Sequence, residues 1–203
     1  MVKKYTFLLF SIVAGLMMGL ATVFGQKYLP GTWNSLANSG SVWVVPAFYM
    51  AALYKEKWKS IVSSILYLLL CVTTYYGYYA IVWKIGFGIR FHQAVWLGCA
   101  VVFGFIFGLG GNLSQYGNER VKYIGKTMLS ATFLSESLLL LSHFQHYSHM
   151  VGVMLMWLIV GIGMYFVNCK RAWKSKQCLL SLFLMTGLGF TGFQLVYYSD
   201  ILA

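Results

Sequence analysis

Acidic residues are almost missing from this chain, with 4 Asp and Glu against 15 Lys and Arg in 203 residues and only 9% charged residues in all. A soluble domain carries about 25% charged residues, so a water-facing globular surface is excluded for most of the length. Several chemical motifs are missing as well. No P-loop is present, which argues against direct use of ATP, and no HExxH marks a zinc hydrolase. No G-x-S-x-G elbow and no spaced acidic pair point to hydrolysis. The four cysteines, Cys71, Cys99, Cys169 and Cys178, form no CxxC. The net charge of +11 does not mean nucleic acid, because the basic residues are scattered over short segments between apolar runs. Contact with anionic lipid headgroups is compatible with that distribution.

Long apolar runs fill the sequence instead, 60% of it hydrophobic. Seven runs have the length of a membrane crossing: 5–26, 36–54, 61–83, 93–111, 127–144, 150–168 and 178–199. A helix needs about 20 residues to cross the hydrocarbon core. Nothing alternates with period two over segments of about ten residues, which excludes a barrel. With no water in the bilayer the backbone must satisfy itself, so helices follow. The expected fold class is therefore all-α, a polytopic helical membrane protein of about seven transmembrane helices forming one bundle domain over 1–203. The first run follows Lys3 and Lys4 as a signal peptide would. It is longer than the usual apolar region of about 7–15 residues and lacks a clear A-x-A site, so it is expected to be retained.

Loop charges orient the chain. With the N-terminus in the cytoplasm, twelve of the 15 basic residues fall inside: Lys3, Lys4, Lys55, Lys57, Lys59, Arg120, Lys122, Lys126, Lys170, Arg171, Lys174 and Lys176. Lys27, Lys84 and Arg90 fall outside. That bias predicts seven crossings with the C-terminus outside. Cys169 and Cys178 then face a reducing compartment, where a structural disulfide is not expected. Tyr75, Tyr76, Tyr78 and Tyr79, with Tyr197 and Tyr198, suit an outer aromatic belt. Gly15 and Gly19, Gly104 and Gly108, and Gly187, Gly189 and Gly192 suit close helix contacts. Gly108, Gly110, Gly111 and Asn112 leave open a frayed helix end lining a cavity.

Glu136 is the one acidic residue inside an expected span, and a carboxylate at bilayer depth costs roughly 2.5–3.5 kcal/mol on insertion scales. It needs a partner or a wet cavity, and it could bind a cationic solute or carry a proton. Thr132 and His143 share its helical face, and Ser130, Ser135, Ser137 and Ser142 make this the most polar span. Packing against another helix is the structural alternative. His92, His143, His146 and His149 map to the outer side, and imidazoles suit a transition metal or pH sensing. Their spacing matches no closed metal motif. Asn38 and Ser39 enter the membrane near the outer face, either as a helix cap or as the mouth of a polar cavity reaching Glu136.

The runs Leu29-Pro30-Gly31-Thr32-Trp33, Leu36-Ala37-Asn38-Ser39-Gly40 with Trp43, Tyr75-Tyr76-Gly77-Tyr78-Tyr79, and Phe133-Leu134-Ser135-Glu136-Ser137-Leu138 resemble a family of uncharacterised bacterial integral membrane proteins, classed as a domain of unknown function. The resemblance implies a multi-pass protein of the bacterial inner membrane, gives no activity, and puts Asn38, Ser39 and Glu136 at motif positions. Size and basic loops also look broadly like the substrate-binding subunits of vitamin transporters, an analogy of architecture alone.

Three functions are expected in descending order. The first is binding or transport of a small solute or cation, with Glu136, Asn38, Ser39 and Thr132 as ligand groups and a transition metal at the four histidines as a subsidiary expectation. The second is a non-enzymatic accessory or signalling subunit, docking a membrane partner or a second copy through Gly15, Gly19, Gly104 and Gly108. The third is an intramembrane hydrolase using Ser135 or Ser137, Glu136 and His143. The bilayer is the expected environment in each, with no nucleic acid.

Overall fold

The computed structural model describes residues 2–82 and 91–198, without the side chains of 2–5, 120 and 171. Trp83, Lys84, Arg90 and Ser199 therefore lie outside the described residues, as do the side chains of Lys3, Lys4, Arg120 and Arg171. Among the described residues there is no strand. The helices are α1 (Val2–Tyr28), α2 (Asn34–Ala37), α3 (Gly40–Ala52), α4 (Lys57–Val82), α5 (Phe91–Tyr116), α6 (Glu119–Ser142), α7 (Phe144–Tyr147), α8 (Val151–Cys169) and α9 (Lys176–Tyr198). Among the described residues, six segments are long and apolar enough to cross a membrane: Thr6–Tyr28, Lys57–Val82, Phe91–Tyr116, Val121–Ser142, Phe144–Cys169 and Lys176–Tyr198. The chain is an all-α polytopic protein. It divides into two compact units, Met1–Asn112 and Leu113–Ala203.

The expected second span, 36–54, differs from its expectation. It is not one helix. Asn38 leaves helical geometry at φ −103, ψ 16, and Ser39 is extended at φ −76, ψ 130. The Ser39 hydroxyl accepts from the Ser41 N–H at 3.2 Å and so caps α3. Short polar side chains that bond to nearby backbone stop one helix and start the next. The 13 residues of α3 rise about 20 Å, short of a hydrocarbon core of about 30 Å.

The chain nonetheless returns across the first unit at this place, because α1 and α4 run parallel. Phe7 lies edge-on to Trp58 at 5.6 Å, the Ser11 and Ser63 hydroxyls bond at 2.7 Å, and Phe24 meets Tyr78 at 6.2 Å. Two parallel neighbours need a crossing between them. Segment 29–56 makes it, from Trp43 Nε1, which donates to the Thr22 hydroxyl at 3.0 Å, down to Tyr54, whose ring is 5.6 Å from Phe7. Along the way Ser64 and Ser60 of α4 donate to the carbonyls of Ala47 and Ala51, at 2.7 and 2.9 Å.

The glycine pairs bring these helices together. A Cβ on Gly15 would sit 2.5 Å from the Tyr67 carbonyl oxygen, and one on Gly104 would sit 2.6 Å from the Ile65 Cα. α5 runs antiparallel to α4 and continues past Gly111 to Tyr116 without fraying. Its buried Asn112 donates through Nδ2 to the Tyr54 carbonyl at 2.8 Å and the Lys55 carbonyl at 3.1 Å. Those carbonyls follow the end of α3, where a helix leaves acceptors unpaired.

The second unit is built on α6, which Asn118 caps by accepting from the Val121 N–H at 3.2 Å. α8 packs antiparallel to it: Ser130 donates to the Gly161 carbonyl at 2.6 Å and Ser137 to that of Met154 at 3.0 Å. α9 packs parallel: Ser135 donates to the Thr186 carbonyl at 2.8 Å and Gln194 Nε2 to the Ser142 hydroxyl at 3.0 Å. Tyr123 joins Tyr165, Cys169 and Cys178 at one end, the end that carries Lys122, Lys126, Lys170, Lys174 and Lys176. The histidine-rich turn and Tyr197 occupy the other. In the second unit these described lysines thus gather at one end. The outer face of α9 shows Leu180, Phe183, Leu184, Leu188 and Leu195, side chains suited to lipid tails.

Gly104→Ala is expected to lower stability in detergent by about 1–3 kcal/mol, through overpacking against α4. Gly187→Ala, where a Cβ meets nothing within 4 Å, is expected to raise it by about 0.5–1 kcal/mol through helix propensity alone. Thermal unfolding of the two variants beside the parent checks both signs.

Candidate solute site around Glu136

The Ser135-Glu136-Ser137 triplet explains how α6 presents its carboxylate. With about 100° between successive residues, Ser135 and Ser137 point to widely separated faces. Ser135 reaches α9 and Ser137 reaches α8. Glu136 is turned about 100° from each, toward a third face, and its side chain is half-buried. Leu129, Phe133 and Leu140 flank it and are buried. Thr132, one turn before it, is also half-buried, and its hydroxyl donates to the Met128 carbonyl at 2.9 Å. A hydroxyl bonded in that way keeps acceptor lone pairs. Glu56, by contrast, lies in an exposed loop. Its hydrogen bond from Lys59, at 2.8 Å, holds its carboxyl below the usual range.

A family model matches residues 2–199. The chain belongs to DUF6518, a family of unknown function. No curated protein and no solved structure matches the chain. The family relationship therefore spans both units of this DUF6518 chain while assigning chemistry to neither.

The other residues of interest fall in several places. Asn38 and Ser39 belong to the first unit, Glu136 and Thr132 to the second. Asn38 is exposed at the break before α3, and Ser39 is buried there as its cap. His143 does not continue the helix. It ends α6 at φ −111, ψ 36, stacks on Tyr197 at 3.9 Å, and shares a 2.8 Å hydrogen bond between Nε2 and Gln194 Oε1. It lies about 10 Å along the helix from Glu136. His146 lies edge-on to Tyr147 at 4.8 Å, and His149 is exposed in the turn that follows. His92, in the first unit, is exposed at the start of α5 beside Phe91. Among the described residues no three of His, Cys, Asp and Glu gather to hold a metal ion.

Two other sets of expected roles meet specific contacts. Gly15, Gly19, Gly104 and Gly108 all face α4 at close range, which leaves no room there for a partner helix. The Ser135 and Ser137 hydroxyls donate to carbonyls, and His143 is engaged with Gln194, so the hydrolase set is not assembled. The tyrosines toward the end of α4 form a cluster: Tyr75 meets Tyr76 and Tyr79 edge-on at 5.1 Å each and Trp43 at 6.0 Å. Rings that meet edge to face satisfy one another's quadrupoles.

Sequence reasoning passed over Asn112 as a tether, Gln194 as the partner of His143, and Thr22 as the acceptor for Trp43. Each was visible as a polar side chain within an apolar run, the same feature that singled out Glu136.

Ser135→Ala and Ser137→Ala are each expected to lower stability by about 0.6–1.7 kcal/mol, the range of interhelical hydrogen bonds in membranes. Glu136→Gln, which keeps shape and polarity, is expected to fall below that range. Unfolding curves of the three variants in one detergent decide the comparison.

Proposed function

We propose that this chain binds a small cation or polar cationic solute at Glu136, with Thr132 beside it, as part of moving that solute through a bacterial inner membrane. The reading is carried by one observation: α6 turns its serines to α8 and α9 and its half-buried carboxylate to a third face. A carboxylate at this depth is costly unless a donor, a cation or water meets it, and such sites are commonly functional. A hard cation prefers oxygen ligands, which a carboxylate and a threonine hydroxyl supply. In the first unit, Asn38 is exposed where the chain breaks before α3, and Ser39 acts as a cap. With no nucleotide motif in the sequence, transport would draw on an ion gradient or a partner subunit.

The test is thermal unfolding of the purified chain and of Glu136→Gln against sodium, potassium, magnesium, transition metals, amino acids and cationic vitamins. A true ligand at a hundred times its Kd adds about 2.7 kcal/mol to the parent. The expected result is such a shift for at least one cation or cationic solute, absent in Glu136→Gln. Equal shifts in both proteins, or none from any cation or cationic compound, would sink the proposal.

A further inference from the structure

The turn between α8 and α9 holds an arrangement that the solute reading does not use. Cys169 ends α8 and Cys178 lies in the first turn of α9, and both side chains are buried, at 1% and 0% exposure. They are free thiols whose sulfurs approach to 2.6 Å. Ordinary nonbonded contact between heavy atoms lies at roughly 3.5–4 Å. Two thiolates sharing a tetrahedral zinc ion would stand about 3.8 Å apart, from zinc–sulfur bonds of about 2.3 Å. A covalent bond between sulfurs measures about 2.05 Å. The two thiols are therefore in direct contact, Cys178 Sγ donating to Cys169 Sγ, with no room for a metal ion between them.

The turn itself holds the two sulfurs together. Lys170, directly after Cys169, has φ 46 and ψ −121, and is the one described residue other than glycine with positive φ. Such a conformation is strained for a residue with a Cβ and persists where surrounding contacts over-determine it. Here Tyr165 donates its hydroxyl to the Trp173 carbonyl at 2.5 Å, folding the turn back over the end of α8. Tyr123 and Leu182 pack against the same cluster.

We propose that Cys169 and Cys178 are a reversible dithiol–disulfide couple that staples α8 to α9 when a peroxide reaches the membrane. One thiol sulfur attacks a peroxide oxygen, breaking the O–O bond, and its proton passes to the leaving hydroxide, giving a sulfenic acid and releasing water. The second thiol displaces the hydroxyl from that sulfur, forming the S–S bond and a second water. Two thiols and one hydrogen peroxide thus give one disulfide and two waters, the sulfurs oxidised and the peroxide reduced. A thiol reductant reverses the step. The couple lies at the lysine-rich end of its unit, and cytoplasmic disulfides act as transient sensors rather than permanent staples.

The sequence supplies the assay. Trypsin sites at Lys170, Arg171, Lys174 and Lys176 all fall between the two cysteines, so cutting the turn separates them unless the disulfide joins them. Membranes holding the full chain are treated with hydrogen peroxide or left untreated, quenched in acid, alkylated and digested. The expected result is that fragments from either side of the turn stay joined only after peroxide and only without reductant. Cys169→Ser and Cys178→Ser should abolish the joined species, and a Cys71→Ser, Cys99→Ser double variant should keep it. Should a variant fail to fold, mass spectrometry of the linked peptides from the parent chain gives the pairing directly, short by two hydrogens. Separate fragments after peroxide in the parent overturn the proposal. A joined species already complete in untreated membranes, or pairing with Cys71 or Cys99, overturns it equally.

Discussion

Hydroxyl-to-carbonyl bonds between helices are what the rest of this structure depends on. A bilayer offers no water to a polar group, so a serine buried among helices must find an acceptor inside the protein. Ser60 and Ser64 find carbonyls of α3, and Ser130, Ser135 and Ser137 find carbonyls of α8 and α9. Each bond contributes modestly, about 0.6 kcal/mol on average in membrane proteins. Their value lies in direction. A lipid-like surface slides freely along another, whereas a hydroxyl aimed at one carbonyl fixes axial register. In the second unit three such bonds set both neighbours of α6, and that register decides which way Glu136 points.

The break at Asn38 and Ser39 follows from the same constraint in the first unit. Its long helices α1 and α4 run parallel and closely packed, so the chain between them must travel back the full depth of the unit. A continuous helix over 36–54 would do this with apolar length alone. The chain uses a capped, 13-residue helix instead, with Pro46 inside it. Serines of α4 and the side chain of Asn112 take up carbonyls along it and beyond its end. A shorter, more irregular crossing is stable because neighbouring side chains bond what the helix leaves unbonded.

Much of the fold was legible in the sequence. Apolar run length located the long helices, since no competing structure satisfies a backbone in lipid. The positions of lysines and arginines anticipated which ends of α6, α8 and α9 come together. What the sequence concealed was local. Asn38-Ser39 reads first as a helix cap and second as the mouth of a cavity, and the extended φ, ψ of Ser39 with its bond from Ser41 shows the cap. The run His143-Phe-Gln-His146-Tyr-Ser-His149 suggested adjacent imidazoles, but adjacency required a helix that His143 itself ends. Gln194, 51 residues away, competes for that ring. Glycine spacing announced close helix contact without saying whether the second helix belonged to this chain. The identity of the contact, α4 for Gly15, Gly19, Gly104 and Gly108 and α6 for Gly189, was a tertiary fact, and Gly187 and Gly192 meet nothing within 4 Å.

The polar residues of α6 show why Glu136 stands apart from its neighbours on physical grounds. Serine and threonine can be satisfied within a helix or by one carbonyl on the next, as Thr132 is by Met128 and Ser130 by Gly161. Such residues are cheap to bury and report packing. A carboxylate accepts hydrogen bonds and, when ionised, donates none. Helix carbonyls cannot satisfy it, and the donor-free surface that suits serine is hostile to it. Its burial is acceptable only with a donor, a cation or water. The serines would keep α6 in place whatever residue occupied position 136. An acidic group there therefore calls for a donor, a cation or water on the face to which α6 turns it.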